Sequence, residues 1–384
     1  YNTAVGGGSL EENTTGERNT AVGYAALGAN TTGNYNTAIG KDALLTNTTG
    51  DYNTAVGLDA LEQNTTGVGN AAVGVAALSK NTTGTENTGM GHQSLQLNTT
   101  GNYNTALGAE ALYANTTASY NTALGWESLN SNTTGENNSA VGYRSMWSNT
   151  TGEKNTALGN DALYSNTTAN NNTAIGYKAL YTQTSEGNYN VAIGLNSLYS
   201  NTGGDYNTAL GTASLHDNTT GSYNTSSGME SMTNNTTGSY NTAFGDGALY
   251  TNTTGGTNTA LGRAAGGLNS TGSGNVFIGY NAGYNETGSN KLYIDNSNTT
   301  SPLIKGDFAN NTVTINGDLT TTGTVTSNSM TSLDGTKMLS IDDNGDVHIG
   351  NNSMVFTNAE NADGVDVMSS TIGKIQIGKN TTDT

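Results

Sequence analysis

The chain has no cysteine, a single proline, twelve lysines and arginines, and only 33% apolar residues among 384. Each scarcity excludes something. Without cysteine there is no disulfide framework, and the redox compartment stays open, because a fold held by stacking needs no cross-links. So little apolar material argues against a compact multi-domain enzyme, whose cores draw on roughly 45–50% apolar residues. Thirty acidic residues against twelve basic ones give a formal charge of −18. No clustered cations are available to neutralise phosphates, so nucleic acid is not expected as a partner. No run approaches the roughly eighteen apolar residues of a membrane span, and no basic-plus-apolar segment opens the chain. Tyr1 already stands inside a repeat, so the natural N-terminus and any export signal are expected to lie upstream.

What is present is periodic. Disordered acidic chains are rich in Pro, Lys and Glu, whereas this one has 53 glycines with Asn, Thr and Tyr in strict recurrence. The unit reads Asn-Thr-Ala-Val/Leu/Ile-Gly-x-x-Ala/Ser-Leu-x-x-Asn-Thr-Thr-Gly-x-Tyr. Its first Asn recurs every seventeen residues from Asn2 to Asn172 and again from Asn190 to Asn275, giving seventeen units. One step, across Thr182 to Gly187, is eighteen residues long. An insertion within a strand would flip its side chains to the wrong face, so the Asn-Thr-Thr-Gly segment is predicted to be a loop outside the packed wall.

Seventeen residues is too short for a helix-turn-helix unit, and the segments lack i, i+3, i+4 apolar spacing. Two short strands and two turns fit. The strands are predicted at Thr-Ala-Val and around Ala/Ser-Leu, with Gly where a turn needs positive φ or close backbone approach. The predicted fold class is therefore all-β, a parallel β-solenoid of seventeen coils over residues 1–290. At about 4.8 Å per coil it extends roughly 80 Å. The fourth position and the Leu, such as Val22 with Leu27 and Ile39 with Leu44, are the expected core. The third-position Ala, such as Ala38 and Ala55, is expected to face outward and form a close subunit contact. Asn at positions one and twelve is expected to stack as amide ladders. The coil at Asn224 to Gly228, where Ser226 and Ser227 replace the apolar pair, is expected to be weak.

The unit Asn-Thr-Ala-Ile-Gly, at Asn36 to Gly40 and Asn172 to Gly176, resembles the repeat of YadA-like trimeric autotransporter adhesin heads, a style of repeat found also in bacteriophage tail fibres. The resemblance implies a left-handed parallel β-roll wound as a homotrimer. The unit here is longer than that of the adhesin heads. Beyond the repeats, Lys291 to Asp295, Pro302 to Phe308 and Val313 to Leu319 resemble the stretch that precedes the intramolecular chaperone of tail-fibre proteins. Residues 291–384 are thus expected to form a β-structured trimeric stalk or connector, with Val347 to Ile349 and Lys374 to Ile377 as short strands.

Chemistry-bearing constellations are few. His92, His216 and His348 are too scattered for a proton-transfer pair or a metal site. Asp342 to Asp346 resembles a calcium loop but lacks the glycine and closing glutamate, and reads as a hairpin turn. No nucleophile elbow, phosphate loop or repeated carboxylate pair occurs, so no catalytic residue, metal or cofactor is expected. The Asn-Thr-Thr sequon, at Asn13, Asn30, Asn47, Asn64, Asn81 and later coils, could accept glycans; the alternative is an unmodified turn ladder. Tyrosine recurs at position seventeen (Tyr35, Tyr52, Tyr103, Tyr120, Tyr189, Tyr206, Tyr223, Tyr240). Position ten carries Tyr113, Trp147, Tyr164, Tyr181, Tyr199 and Tyr250. Such stripes either contact surface sugars or stack on one another and seal subunit seams. The function expected is the shaft of an extracellular fibre, a phage tail fibre that positions a tip for a cell-surface glycan or protein receptor. A bacterial trimeric surface adhesin is the alternative, and an ice-binding solenoid a third reading.

Overall fold

A computed structural model describes residues 1–322 and, further on, four short strands. From Tyr1 to Gly317 the chain forms one compact unit. Seventeen three-residue strands, from Thr3–Val5 to Val276–Ile278, stack in sequence order as one parallel ladder. Register never slips: Thr pairs with Thr, Ala with Ala and the fourth position with its counterpart, as in Thr37↔Thr54, Ala38↔Ala55 and Ile39↔Val56. The parallel β-solenoid of about seventeen turns is therefore the fold. No helix among the described residues is long and apolar enough to cross a membrane.

Each coil contains one strand rather than the two expected. Around Ala/Ser-Leu the backbone turns instead, with the leucine itself in left-handed conformation, as at Leu44 (φ 52°) and Leu61 (φ 52°). Coil-to-coil bonding continues through these turns. In the coil starting at Asn36, Asp42 donates to Tyr24, Leu44 to Ala60, Thr46 to Glu62 and Thr48 to Thr65, all at 2.9–3.0 Å. The amides outside the strand thus bond to the coils before and after, and the stack is held together all round each coil.

The leucines form the core as expected, but the polarity of the strand is the reverse of the expectation. Ala21, Ala38 and Ala55 are fully buried with Leu27, Leu44 and Leu61, whereas Val22 is half-buried and Ile39 is 42% exposed. Strand alternation holds, but the interior of a seventeen-residue coil is narrow: it contains the third-position Ala, the eighth-position Ala or Ser, and the Leu. A β-branched side chain opposite the leucine would overfill it. Alanine therefore makes no outward subunit contact, and the fourth position forms the outward row.

The Asn-Thr-Thr-Gly segment is also more integrated than a loop outside the wall. Its asparagines point inward and are buried. The eighteen-residue coil keeps this arrangement by substitution: Gln183 stands where other coils have Asn. Its longer side chain spans four residues to the Gly187 carbonyl, where Asn166 spans three to Ala169. One extra methylene accommodates one extra residue.

The weak coil is regular. The strand Thr225–Ser227 pairs in register on both sides. Buried Ser226 accepts from Ser214 Oγ at 2.8 Å and donates to the Ser231 carbonyl at 2.9 Å. We expect Ser226→Ala alone to cost about 1 kcal/mol, with the Ser214 hydroxyl left only its 3.3 Å contact to the Ser226 carbonyl, and Ser226→Ala combined with Ser214→Ala to cost less, because paired deletion removes both hydroxyls. Urea denaturation of both variants measures this.

Near its end the core is filled differently. Leucine gives way to Gly266 and Gly283, and Phe277 replaces alanine; its ring lies where a Cβ on either glycine would stand, a volume exchange of the kind cores tolerate. Tyr293 packs beyond it at 6.0 Å and donates to Glu286 at 2.7 Å. Burial, and then that carboxylate, raise the Tyr293 hydroxyl above the usual tyrosine range. Lys291–Ile294 adds a last parallel strand, followed by the antiparallel strands Ile304–Asp307 and Thr312–Ile315.

The second unit, Asp318–Thr384, contains the antiparallel strands Ser329–Thr331, Lys337–Ile341, Val347–Ile349 and Met354–Phe356. The turn predicted at Asp342 to Asp346 and the strand predicted at Lys374 to Ile377 lie outside the described residues.

Candidate functional site

In-register stacking turns every sequence column into a physical row, so recurrent surface residues become linear arrays. Two arrays of rings result. At position seventeen, Tyr189, Tyr206, Tyr223 and Tyr240 stack at 4.8–5.0 Å with planes within 7°. Tyr35 pairs with Tyr52 and Tyr103 with Tyr120 in the same manner. These tyrosines adopt left-handed backbone, 55° to 62° in φ, which aligns successive rings.

At position ten Trp147, Tyr164, Tyr181, Tyr199 and His216 form one unbroken stack at 5.1–5.4 Å. His216 closes it, with Nδ1 2.6 Å from Asp217 Oδ1. Tyr113 and Tyr250 stand outside this run, because the same position in the adjacent coils is Gln96 and Asn130 for the first, and Thr233 and Gly267 for the second. Within the run each ring covers its neighbour's face. Such pairs contribute roughly 0.5–1.5 kcal/mol each beyond buried area. What solvent meets is therefore a row of ring edges and hydroxyls, not a flat platform.

A third aromatic column, at position six, was not singled out by sequence reasoning. It holds Tyr24, Trp126, Tyr143, Tyr177 and Tyr280. The signal was present, since these residues follow the invariant glycine at the same offset, but they are scattered among Leu, Val, Lys and Asp. Trp126 stacks on Tyr143 at 5.1 Å, and the Arg144 guanidinium lies 5.2–6.0 Å from the rings of Tyr143, Trp126 and Trp147. Arg144 Nε donates to Glu127 Oε2 at 2.9 Å, and this bond raises the guanidinium above its ordinary range. Lys178 sits 5.1–5.2 Å from Tyr181 and Tyr177, holding its proton more tightly than usual, chiefly through its bond to the Tyr177 hydroxyl. Burial among these groups raises the Tyr181 hydroxyl. Exposed cation–π contacts of this kind are worth about 0.5–1 kcal/mol. The face is a cation-decorated aromatic array.

The sequon asparagines lie on the inside of the coil. Asn30, Asn47, Asn64 and Asn81 are fully buried. Each Nδ2 donates both to the Oδ1 of the equivalent Asn one coil earlier, at 2.8–2.9 Å, and to the glycine carbonyl three residues on, at 3.0–3.1 Å. Asn13, in the first coil, is half-buried and bonds Gly16. The folded coil has no space for a sugar on the four buried nitrogens. His92 occupies position six among the aromatics, and His348 lies in the strand Val347–Ile349.

The chain matches no family model, no curated protein and no solved structure.

Proposed function

We propose that this chain is the shaft of an extracellular fibre, a phage tail fibre that positions a tip against a cell-surface glycan or protein receptor. The reading rests on one observation: a stack of some seventeen coils whose repeated features all serve coil-to-coil cohesion. Amide ladders, in-register strands and stacked rings lengthen a rod without building a recessed reaction site. Its sequence support is the Asn-Thr-Ala-Ile-Gly repeat and its resemblance to tail-fibre and adhesin-head units.

Self-association as a trimer belongs to the same proposal, on a different surface from the one alanine suggested. The outward fourth-position row exposes Ile39, Val73, Leu124, Leu158, Ile193 and Phe244, each 39–47% accessible. An apolar row interrupted only at Ser227 among the seventeen coils is the kind of surface that partners cover. In sedimentation equilibrium the wild-type chain is expected at about three times 39.2 kDa. Leu124→Glu, Leu158→Glu and Ile193→Glu together are expected to yield monomer with unchanged β circular dichroism, since outward side chains do not enter the coil core. A wild-type monomer would sink the trimer.

A further inference from the structure

The position-ten ladder is interrupted by a side chain at Asn130 and Thr233, but by none at Gly267, which stands between Tyr250 and Tyr284 one coil to either side. The Tyr284 ring edge leans to within 2.6 Å of where a Gly267 Cβ would stand, and beside it lies a pocket of about 240 Å³ lined by Tyr250, Gly267, Tyr284, Glu230, Asp246 and Arg263. We propose that this pocket is a binding site for one neutral hexopyranose ring of a glycan.

Three features carry the assignment. First, at position ten the stack from Trp147 to His216 covers most ring faces. Tyr250 has no aromatic residue at its own position in either adjacent coil and is 39% exposed. A pyranose packs a face of C–H bonds against the electron-rich face of an aromatic ring. Second, its hydroxyl rim needs donors and acceptors held in fixed places. Arg263 Nε donates to Asp246 Oδ2 at 3.0 Å and its Nη1 to the Tyr280 hydroxyl at 3.4 Å, which orients the guanidinium, and the Asp246 bond lifts it above its ordinary range. Remaining guanidinium N–H groups then donate, and the Asp246 and Glu230 carboxylates accept. Third, size and charge select the ligand. The volume is below the roughly 300–1,000 Å³ of drug-sized sites, so it suits a single ring. Two carboxylates against one guanidinium, on a chain of net charge −18, disfavour phosphates and acidic sugars.

The site belongs to one chain and does not depend on self-association or on the fibre reading. Its test is saturation-transfer NMR of the full chain with methyl glycosides of glucose, galactose and mannose, and of N-acetylglucosamine. At least one is expected to bind in the millimolar range. Gly267→Tyr fills the rung. The glycine has no positive φ, a tyrosine occupies the same position at Tyr164 and Tyr181, and an added Cβ would meet the Tyr284 ring edge at 2.6 Å, which must swing aside, and the Ala264 carbonyl oxygen at 3.2 Å. The variant is expected to fold, checked by circular dichroism, and to lose the signals. Arg263→Gln, at an exposed position, is expected to weaken binding about tenfold while leaving the fold intact. Absence of transfer to every glycoside in the wild type overturns the proposal, as does transfer unchanged in both variants.

Discussion

Gly108→Ala is expected to destabilise the solenoid by about 4–6 kcal/mol, among the largest effects of any single methyl group in the chain. Two independent constraints meet at this residue. Its φ is +138°, outside the region that L side chains adopt, and an added Cβ would stand 2.4 Å from the Gly125 carbonyl oxygen and 2.6 Å from its carbon. Both atoms are backbone of the next coil, so no rotamer change relieves the contact. The ladder itself would have to open. Because contacts in a stack run only between neighbours, damage should localise: hydrogen exchange is expected to lose protection in the two coils flanking the substitution, and thermal melting to split into two transitions. The control is Gly247→Ala. There φ is +62° with nothing near the added carbon, and Ala25, Ala76, Ala213 and Ala264 occupy the same position at 54°. A cost of about 1–2 kcal/mol, with one transition, is expected.

That contrast was partly legible in the repeat itself. The fifth position is glycine in each of the seventeen coils, from Gly6 to Gly279, whereas the fifteenth becomes alanine at Ala118 and Ala169. The fifth has both a positive φ and a close carbonyl; the fifteenth has the close carbonyl alone, as at Gly50, 2.4 Å from the Gly67 oxygen. The eighteen-residue step correctly located a segment that tolerates insertion, although the residue absorbing it, Gln183, faces inward.

Strand polarity was harder. Alternation requires the third and fourth positions to face opposite sides, but does not say which side is the core, and the more apolar residue was the natural choice. Variation within the chain decides it. The fourth position accepts Val, Ile, Met, Leu, Ser and Phe, which no fixed cavity could accommodate, while the third is alanine almost throughout. Its one large exception, Phe277, coincides with two leucines reduced to glycine. The left-handed leucines were not legible, because leucine disfavours that conformation and only the surrounding coils hold it there. The position-ten candidates Trp147, Tyr164, Tyr181 and Tyr199 do come together as one stack. Tyr250 acquires its significance from a missing neighbour, which a list of aromatic residues cannot show.

The second large effect concerns the position-twelve ladder. From Asn30 to Asn166 each buried amide donates to the one before, an unbroken chain that starts at half-buried Asn13. The chain stops where its donor fails: Asn166 Oδ1 faces the Gln183 coil and has no partner. Asn132, fully buried in the middle, donates to Asn115 Oδ1 at 3.1 Å and to Gly135 O at 3.0 Å, and accepts from Asn149 at 2.8 Å. Asn132→Ala removes all three contacts and leaves one donor of Asn149 and one acceptor, Asn115 Oδ1, buried without a partner, while the Gly135 carbonyl keeps its bond from Asn121 Nδ2 at 2.9 Å. At about 1–3 kcal/mol for each of the two orphaned groups, with partial relief from relaxation, the expected loss is about 2–4 kcal/mol. Urea denaturation followed by circular dichroism measures it. Asn132→Asp separates hydrogen-bond loss from simple cavity formation. The ionised carboxylate would still accept from Asn149 but would face two acceptors, Asn115 Oδ1 and Gly135 O, in a site closed to water. Burial and those oxygens raise its folded pKa above the unfolded value, so the stability it retains is fullest below the unfolded pKa and is lost as pH rises through the folded one. The aspartate variant is therefore expected to be more destabilised at pH 7 than Asn132→Ala, and to recover on acidification while the alanine variant does not. Equal pH profiles for the two variants would mean that the ladder contributes shape rather than hydrogen bonds.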